Sequence, residues 1–460
     1  MNNLLFAEHV LLPDGWARDV LLQWNAQGQW QSIATGQTPA GLIPRAAGPV
    51  LPGMPNLHSH AFQRVLAGLT EYRSHTQDSF WSWRTLMYRF AAQLSPAQLE
   101  AIATGLYVEM LEAGFTSVCE FHYLHHDTHG KAYADPAEMS LSLLRAAKRT
   151  GIGLTLLPVL YQTSGFGGAA PTPGQGRFIH NTEGMLRLLD RLLPLCEAQS
   201  VRLGLAPHSL RAVPPEGLRE VLAGLDAMDA TAPIHIHIAE QRAEVDACLA
   251  WSGQRPVSWL LDHAPVDERW CLVHATHMNA LEYQRAAQSG AVAGLCPTTE
   301  ANLGDGIFEF NTWQGNQGAW GIGSDSHIAV HPAEDLMMLE YSQRLALGQR
   351  NVAAHDTQPD VAQALWQGAV AGGAQAAGRP VAGLVAGQQA DFIVLDAAHS
   401  TLAGLSPETM LASHVFASSR TSAIAQVWVS GQRLVQQGRH ALQDSAMAGF
   451  VQARSQLLKV

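Results

Sequence analysis

Leu51-Pro52-Gly53-Met54-Pro55-Asn56-Leu57-His58-Ser59-His60 is the stretch on which the reading of this chain turns: an apolar run of strand character that ends in two histidines. Residues two apart on a strand point to the same face, so His58 and His60 can converge on one ion. Taken alone, the pair is a modest signal. Its weight comes from later apolar runs that carry polar residues at their ends in a regular order: His237 and Glu240 around 234–239, His274 at the end of 271–274, and Asp325 just past 320–324.

Working outward, runs suited to buried parallel strands recur near 54–58, 117–123, 154–161, 202–207, 234–239, 271–274, 291–296 and 320–324. Helical spacing fills most of the intervals, at 97–113, 138–150, 182–199, 214–226, 241–250 and 280–289. Eight strands alternating with helices predict an α/β protein built on a (β/α)8 TIM-like barrel. In such barrels chemistry sits at the C-terminal ends of the strands, where these His, Asp and Glu residues lie. A doubly wound open sheet is the structural rival, but it would not bring the first, fifth, sixth and eighth strands to one point. Both ends of the chain read differently, as short strands with Pro-Asp-Gly, Gln-Gly and Ser-Gly turns, which predicts one smaller composite β-sheet domain built from both termini. The expected division is 1–50 for the N-terminal part of that sheet, 51–377 for the barrel and 378–460 for the C-terminal part.

Composition agrees with a large buried enzyme: of 460 residues, 47% are hydrophobic and 15% charged. The formal charge of −11 argues against nucleic acid or an anionic membrane as partner. Cys119, Cys196, Cys248, Cys271 and Cys296 are scattered with no C-x-x-C, as in the reduced thiols of a cytoplasmic protein. Neither a signal-peptide pattern nor an apolar run of bilayer length is present. The Gly-, Ala- and Pro-rich stretch 164–176 reads as a surface loop, with a substrate lid as the alternative.

A catalytic metal needs a few fixed ligands and one open position for water. His58, His60, His237 and Asp325 would supply three imidazoles and a carboxylate, a set that suits zinc and could also hold ferrous iron. His235 shares a face with His237 but lies deeper in its strand, so it is expected to be a packing histidine. The fourth strand, Leu203-Gly204-Leu205-Ala206-Pro207-His208, offers no lysine to bridge two metals, which favours one divalent ion. Glu240, just past its strand, is placed to carry a proton between water and a substrate nitrogen; the plainer alternative is a solvated carboxylate at a helix start. His274 could polarise the water or stabilise a tetrahedral intermediate, or it could be a satisfied core histidine. Asp325 is both ligand and catalytic candidate.

The order His58-x-His60, His237-x-x-Glu240, His274, Ser324-Asp325 resembles that of deaminases of the amidohydrolase superfamily, over essentially the whole chain. More narrowly, 54–64, Trp81-Ser82-Trp83-Arg84, Glu120-Phe121-His122-Tyr123, 206–211 and 296–306 resemble the formimidoylglutamate deiminases. The resemblance implies hydrolysis of N-formimidoyl-L-glutamate to N-formyl-L-glutamate and ammonia in histidine degradation. It also implies a substrate-binding set of Gln63, Arg84, Tyr123, His208 and Arg211. A dicarboxylate substrate does need local cations in an acidic protein, and Arg84 and Arg211 could supply them. A homo-oligomer, as a dimer, is the expected assembly. Two rivals stay open: a superfamily relative acting on a purine, pterin, triazine or guanidine, and a catalytically silent barrel that only binds a metal or ligand. The zinc deaminases with a His/Cys/Cys site are excluded by the missing P-C-x-x-C.

Overall fold

The computed structural model describes residues 3–39, 41–71, 80–417 and 421–459, with the side chains of residues 80–82 outside that description. Its centre is a parallel barrel. The strands are β1 (Met54–Ser59), β2 (Phe115–His122), β3 (Gly153–Leu160), β4 (Arg202–Leu203 and Ala206–Pro207), β5 (Ile234–Ile238), β6 (Trp270–His274), β7 (Val292–Leu295) and β8 (Trp320–Ile322). Continuous pairing runs through β1 to β4 and through β5 to β8, and the parallel bridges Leu205 to Ile234 and Ser59 to Asp325 close the ring. Leu57, Cys271, Val273, Val292 and Cys296 form one buried cluster inside it, consistent with inward-facing positions that alternate along each strand. All five cysteines are buried and free.

The fourth strand departs from the continuous 202–207 segment expected. Both of its pieces pair with β3, while Leu205 between them bridges to β5. At Gly204 an added Cβ would come within 2.5 Å of the Pro233 carbonyl oxygen, so the backbone here presses against the approach to β5. The chain is handing its hydrogen bonds from one neighbour to the other.

Both termini build a second sheet. Leu4–Leu12, Gly15–Trp24 and Trp30–Ala34 form its N-terminal side, while Phe392–Leu395, Ile424–Val429, Gln432–Gln436 and Arg439–His440 form the other. Val50–Pro52 joins the two sides, parallel to the first strand and antiparallel to Phe392–Leu395, so the N-terminal share of this sheet reaches Pro52 rather than residue 50. The C-terminal part also contains the helices Pro407–Phe416 and Gln443–Leu457, which a purely β reading does not anticipate, and the second packs on the barrel. It buries Ala446, Phe450, Ala453 and Leu457, a helical spacing, and Phe450 lies over Gly105 of the barrel helix Pro96–Glu112.

Candidate functional site

Four donors from three strand ends meet at the C-terminal mouth. His58 Nε2 lies 3.1 Å from His60 Nε2 and 3.0 Å from His237 Nε2, and Asp325 Oδ1 lies 3.4 and 3.3 Å from His58 and His60. Donors about 2.0–2.1 Å from a tetrahedral ion stand at such separations from one another. The outer ring nitrogens fix the tautomers: His60 Nδ1 donates to the Phe121 carbonyl at 2.9 Å and His237 Nδ1 to the His208 carbonyl at 3.2 Å. Their Nε2 lone pairs therefore face inward without hydrogens between them. Burial pushes His58 down to about 3 and lowers His60 and His237, so all three are neutral, the coordinating form. Burial opposes ionisation of Asp325, but the imidazoles of His58, His60 and His274 outweigh it and hold the carboxyl far below its usual range. Three neutral imidazoles and a carboxylate are donors of the kind that hold a divalent ion.

The strand ends are held in uncommon backbone shapes. Ala239, His274, Ala275, Asp325 and His327 all have positive φ without being glycine, a cost that concentrates at sites where side chains must be aimed. Beneath them, Glu120 accepts bonds from Ser59 Oγ at 2.7 Å and from the Ala61 amide at 2.6 Å, pinning the residues on either side of His60. Asn56 Nδ2 donates to Ser324 Oγ at 2.6 Å, tying β1 to the residue before Asp325.

Beside the metal-type donors sits an acid and imidazole group. Glu300 Oε1 lies 3.2 Å from His274 Nδ1, which turns His274 Nε2 toward Glu240 Oε1 at 3.9 Å and Asp325 Oδ2 at 3.8 Å. Burial would lower His274, but Glu240, Glu300 and Asp325 raise it to about 10. Burial, with Asp325 and Glu244, pushes Glu240 up to about 7 against the pull of His274 and Arg211. A carboxyl poised there can both take and give a proton near neutrality.

One pocket collects the remaining residues expected in the site: Gln63, Arg84, Tyr123, His208 and Arg211 line it together with His60, His237, Glu240, His274 and Asp325. His58 lies below, fully buried. Gln63 comes from the turn Ala61–Leu66 and donates to the Tyr123 hydroxyl at 2.8 Å, leaving its Oε1 without a partner. Arg84, on the helix Phe80–Ala91, donates to the hydroxyls of Tyr88 and Tyr161, and Gln175 donates to Tyr161 at 2.8 Å. The last bond ties the end of the 164–176 stretch to the pocket wall. Arg211 Nη1 is buried without a partner. His235 bonds the Ala376 carbonyl at 2.8 Å, away from the pocket, as expected of a packing residue. Glu244, Glu300, Tyr88 and Tyr161 were not singled out by the sequence. Of the quoted Trp81-Ser82-Trp83-Arg84 segment, the Trp81 and Ser82 side chains lie outside the described residues.

Residues 50–434 match the model of the amidohydrolase family, and residues 2–42 match that of the formimidoylglutamate deiminase HutF N-terminal domain. A formimidoylglutamate deiminase of Pseudomonas aeruginosa is 51% identical over 455 residues, 99% of each chain. A 5-methylthioadenosine/S-adenosylhomocysteine deaminase of Natronomonas pharaonis is 26% identical, covering 88% of this chain and 86% of its own. Among solved structures, an amidohydrolase from Brucella melitensis is 47% identical with a TM-score of 0.93, over 99% of this chain and 100% of that one. An adenosine deaminase from Xanthomonas campestris with bound zinc shares the fold, with a TM-score of 0.78 at 20% identity over 99% and 98% of the two chains.

Proposed function

The chain belongs to the amidohydrolase family, on its formimidoylglutamate deiminase branch, and we propose that it hydrolyses N-formimidoyl-L-glutamate to N-formyl-L-glutamate and ammonia in histidine degradation. The observation that carries the reading is Arg211 Nη1, a buried guanidinium donor left without a partner in the pocket that opens over the three-histidine, one-carboxylate donor set. A buried unpaired donor on a cation calls for an anionic group on the ligand.

His58, His60, His237 and Asp325 hold one divalent ion, with zinc the best match to the donors and ferrous iron the alternative. When bound, the ion supplies Lewis-acid activation of water. The remaining work falls to the chain. Arg84 and Arg211 hold the two substrate carboxylates, while Gln63, Tyr123 and His208 shape the space between. His274, fixed through Nδ1 by Glu300, turns Nε2 to the attacking water and to the oxygen that gathers charge at the formimidoyl carbon. Glu240 takes the proton from water and passes it to the terminal nitrogen, which leaves as ammonia when the C–N bond breaks. A cytoplasmic homodimer is part of the proposal. No helix among the described residues is long and apolar enough to cross a membrane.

Ammonia release measured across formimidoylglutamate, guanine, adenosine and cytosine tests the assignment. Turnover of the first alone is the expected result. Release from a nucleobase or nucleoside instead would select the rival within the superfamily.

A further inference from the structure

Glu244 enters the pocket wall from the first turn of the helix Arg242–Ser252, four residues after Glu240. Its two carboxylate oxygens divide their work: Oε1 accepts the Ala239 amide at 3.2 Å and Oε2 the Glu240 amide at 3.1 Å. Each oxygen keeps a second lone pair. Among the described residues no cation stands within ion-pair distance of it, although Arg211 acts on it electrostatically along with those two amides. Glu240, Glu244 and Asp325 thus line a single pocket. For a ligand that carried only negative charge, three carboxyl groups in the wall would be a costly surrounding.

Resting on the function proposed above, the ligand is not purely anionic. An N-alkylformamidine is a strong base and enters as the amidinium, a delocalised cation with N–H donors at both nitrogens. In formimidoylglutamate the inner N–H and one carboxylate sit on the same carbon, so the groups that hold them must be neighbours in the protein. Arg211, with its unpartnered Nη1, and Glu244 line the same pocket.

We propose that Glu244 is a specificity-determining residue that accepts the inner N–H of the substrate amidinium while Arg211 takes the adjacent carboxylate. The charge balance of the reaction gives this contact a direction. Amidinium and water become a neutral formamide and an ammonium ion, so the inner N–H persists in the product but loses its positive charge. The bond from the substrate is charge-assisted on both sides, and the bond from the product on one side only. Glu244 accordingly favours substrate over product and lowers the occupancy of the pocket by N-formylglutamate after turnover.

The test is Glu244→Gln, which preserves size and one carbonyl acceptor for the backbone amides. KM and kcat are measured with formimidoylglutamate, and the inhibition constant with N-formylglutamate. The expected result is a KM raised about 10-fold or more, with the product inhibition constant raised by a clearly smaller factor, because the product's bond loses one charge whereas the substrate's loses a charge pair. A fall in kcat with KM unchanged would show that Glu244 only positions Glu240 through the shared backbone turn, and would overturn the proposal. Equal weakening of substrate and product, or no change in either, overturns it as well. Glu244→Asp guards against a folding defect in the first variant: a charge at shorter reach should recover part of the substrate preference, and a preference no better than that of the glutamine variant counts against the contact. A wild-type enzyme that releases no ammonia from formimidoylglutamate overturns the function together with this inference, whereas normal wild-type turnover with an unmoved substrate-to-product ratio overturns the inference alone.

Discussion

Glu300 Oε1 stands 3.2 Å from His274 Nδ1 and 2.9 Å from the Cys296 amide, so one carboxylate fixes both the imidazole of β6 and the backbone at the end of β7. With Nδ1 engaged, His274 has only Nε2 to offer the pocket. Glu300→Gln removes the carboxylate that aims the ring and one of the three, with Glu240 and Asp325, that raise its pKa. The expected outcome is a kcat reduced about 10- to 100-fold with metal content unchanged. Parallel kinetics and elemental analysis check it, and an unaltered kcat would show that the ring is held by its packing.

Glu240→Gln retains the shape of the side chain but cannot move a proton. Turnover should fall about 10²–10⁴-fold while the metal stays bound. Near-normal kcat in this variant would assign proton transfer to another group, such as His274, whose Nε2 lies 3.9 Å from Glu240 Oε1.

Removing the metal should act on stability as well as on activity. His58 Nε2 stands 3.0–3.4 Å from donor atoms of His60, His237 and Asp325, and His60 stands 3.3 Å from Asp325, a crowding that a cation stabilises. Chelation is expected to abolish turnover and lower Tm, zinc to restore both, and elemental analysis of the holoenzyme to give close to one ion per chain. Two tightly bound ions would contradict the mononuclear site.

Arg84→Met and Arg211→Met address the carboxylates. Each should cost roughly 2–5 kcal/mol in kcat/KM for formimidoylglutamate, since a substrate carboxylate is then left partly desolvated and unpaired. The loss should shrink for a formimidoyl amine lacking the matching carboxylate. Equal losses for both compounds would make the arginines structural.

Much of this site was legible because the barrel places chemistry at strand ends, and strand ends are visible where an apolar run meets a polar residue. His58, His60, His237, His274 and Asp325 all carry that mark, and they come to one pocket floor. Glu300 and Glu120 sat inside quoted motifs yet had no readable role. Their work is a contact with a residue 26 positions away in one case and 61 in the other, and no local pattern encodes that. Arg84 and Tyr88 are paired by helical spacing, but their meeting with Tyr161 depends on how the helix Phe80–Ala91 docks. The broken fourth strand was hidden because Gly204 and Leu205 look like any apolar strand interior. Only closure of the ring forces the change of partner there.

Histidines outside the site contribute to the response to acid. Burial pushes His122 down to about 3 and His235 and His331 to about 4. Because these folded-state values lie below the ordinary 6.5, the unfolded chain binds more protons between 6.5 and about 4, and stability falls as pH falls through that window. Thermal melts from pH 7 to pH 4 should show a steep loss of Tm. His235→Gln should flatten the slope, since one fewer imidazole is then held below its ordinary pKa in the folded chain. A pH-independent Tm across that range would mean that these imidazoles ionise without penalty.

The composite sheet also sets an order of events during synthesis. Val50–Pro52 has one neighbour among the first strands made, but its other neighbour, Phe392–Leu395, leaves the ribosome only after the entire barrel has been translated. At about 5–20 residues per second, the nascent chain carries that open strand edge for tens of seconds. The edge is apolar, with Val50 and Leu51 destined for full burial. Until Phe392–Leu395 emerges, that edge stays open to pairing with any other unpaired strand.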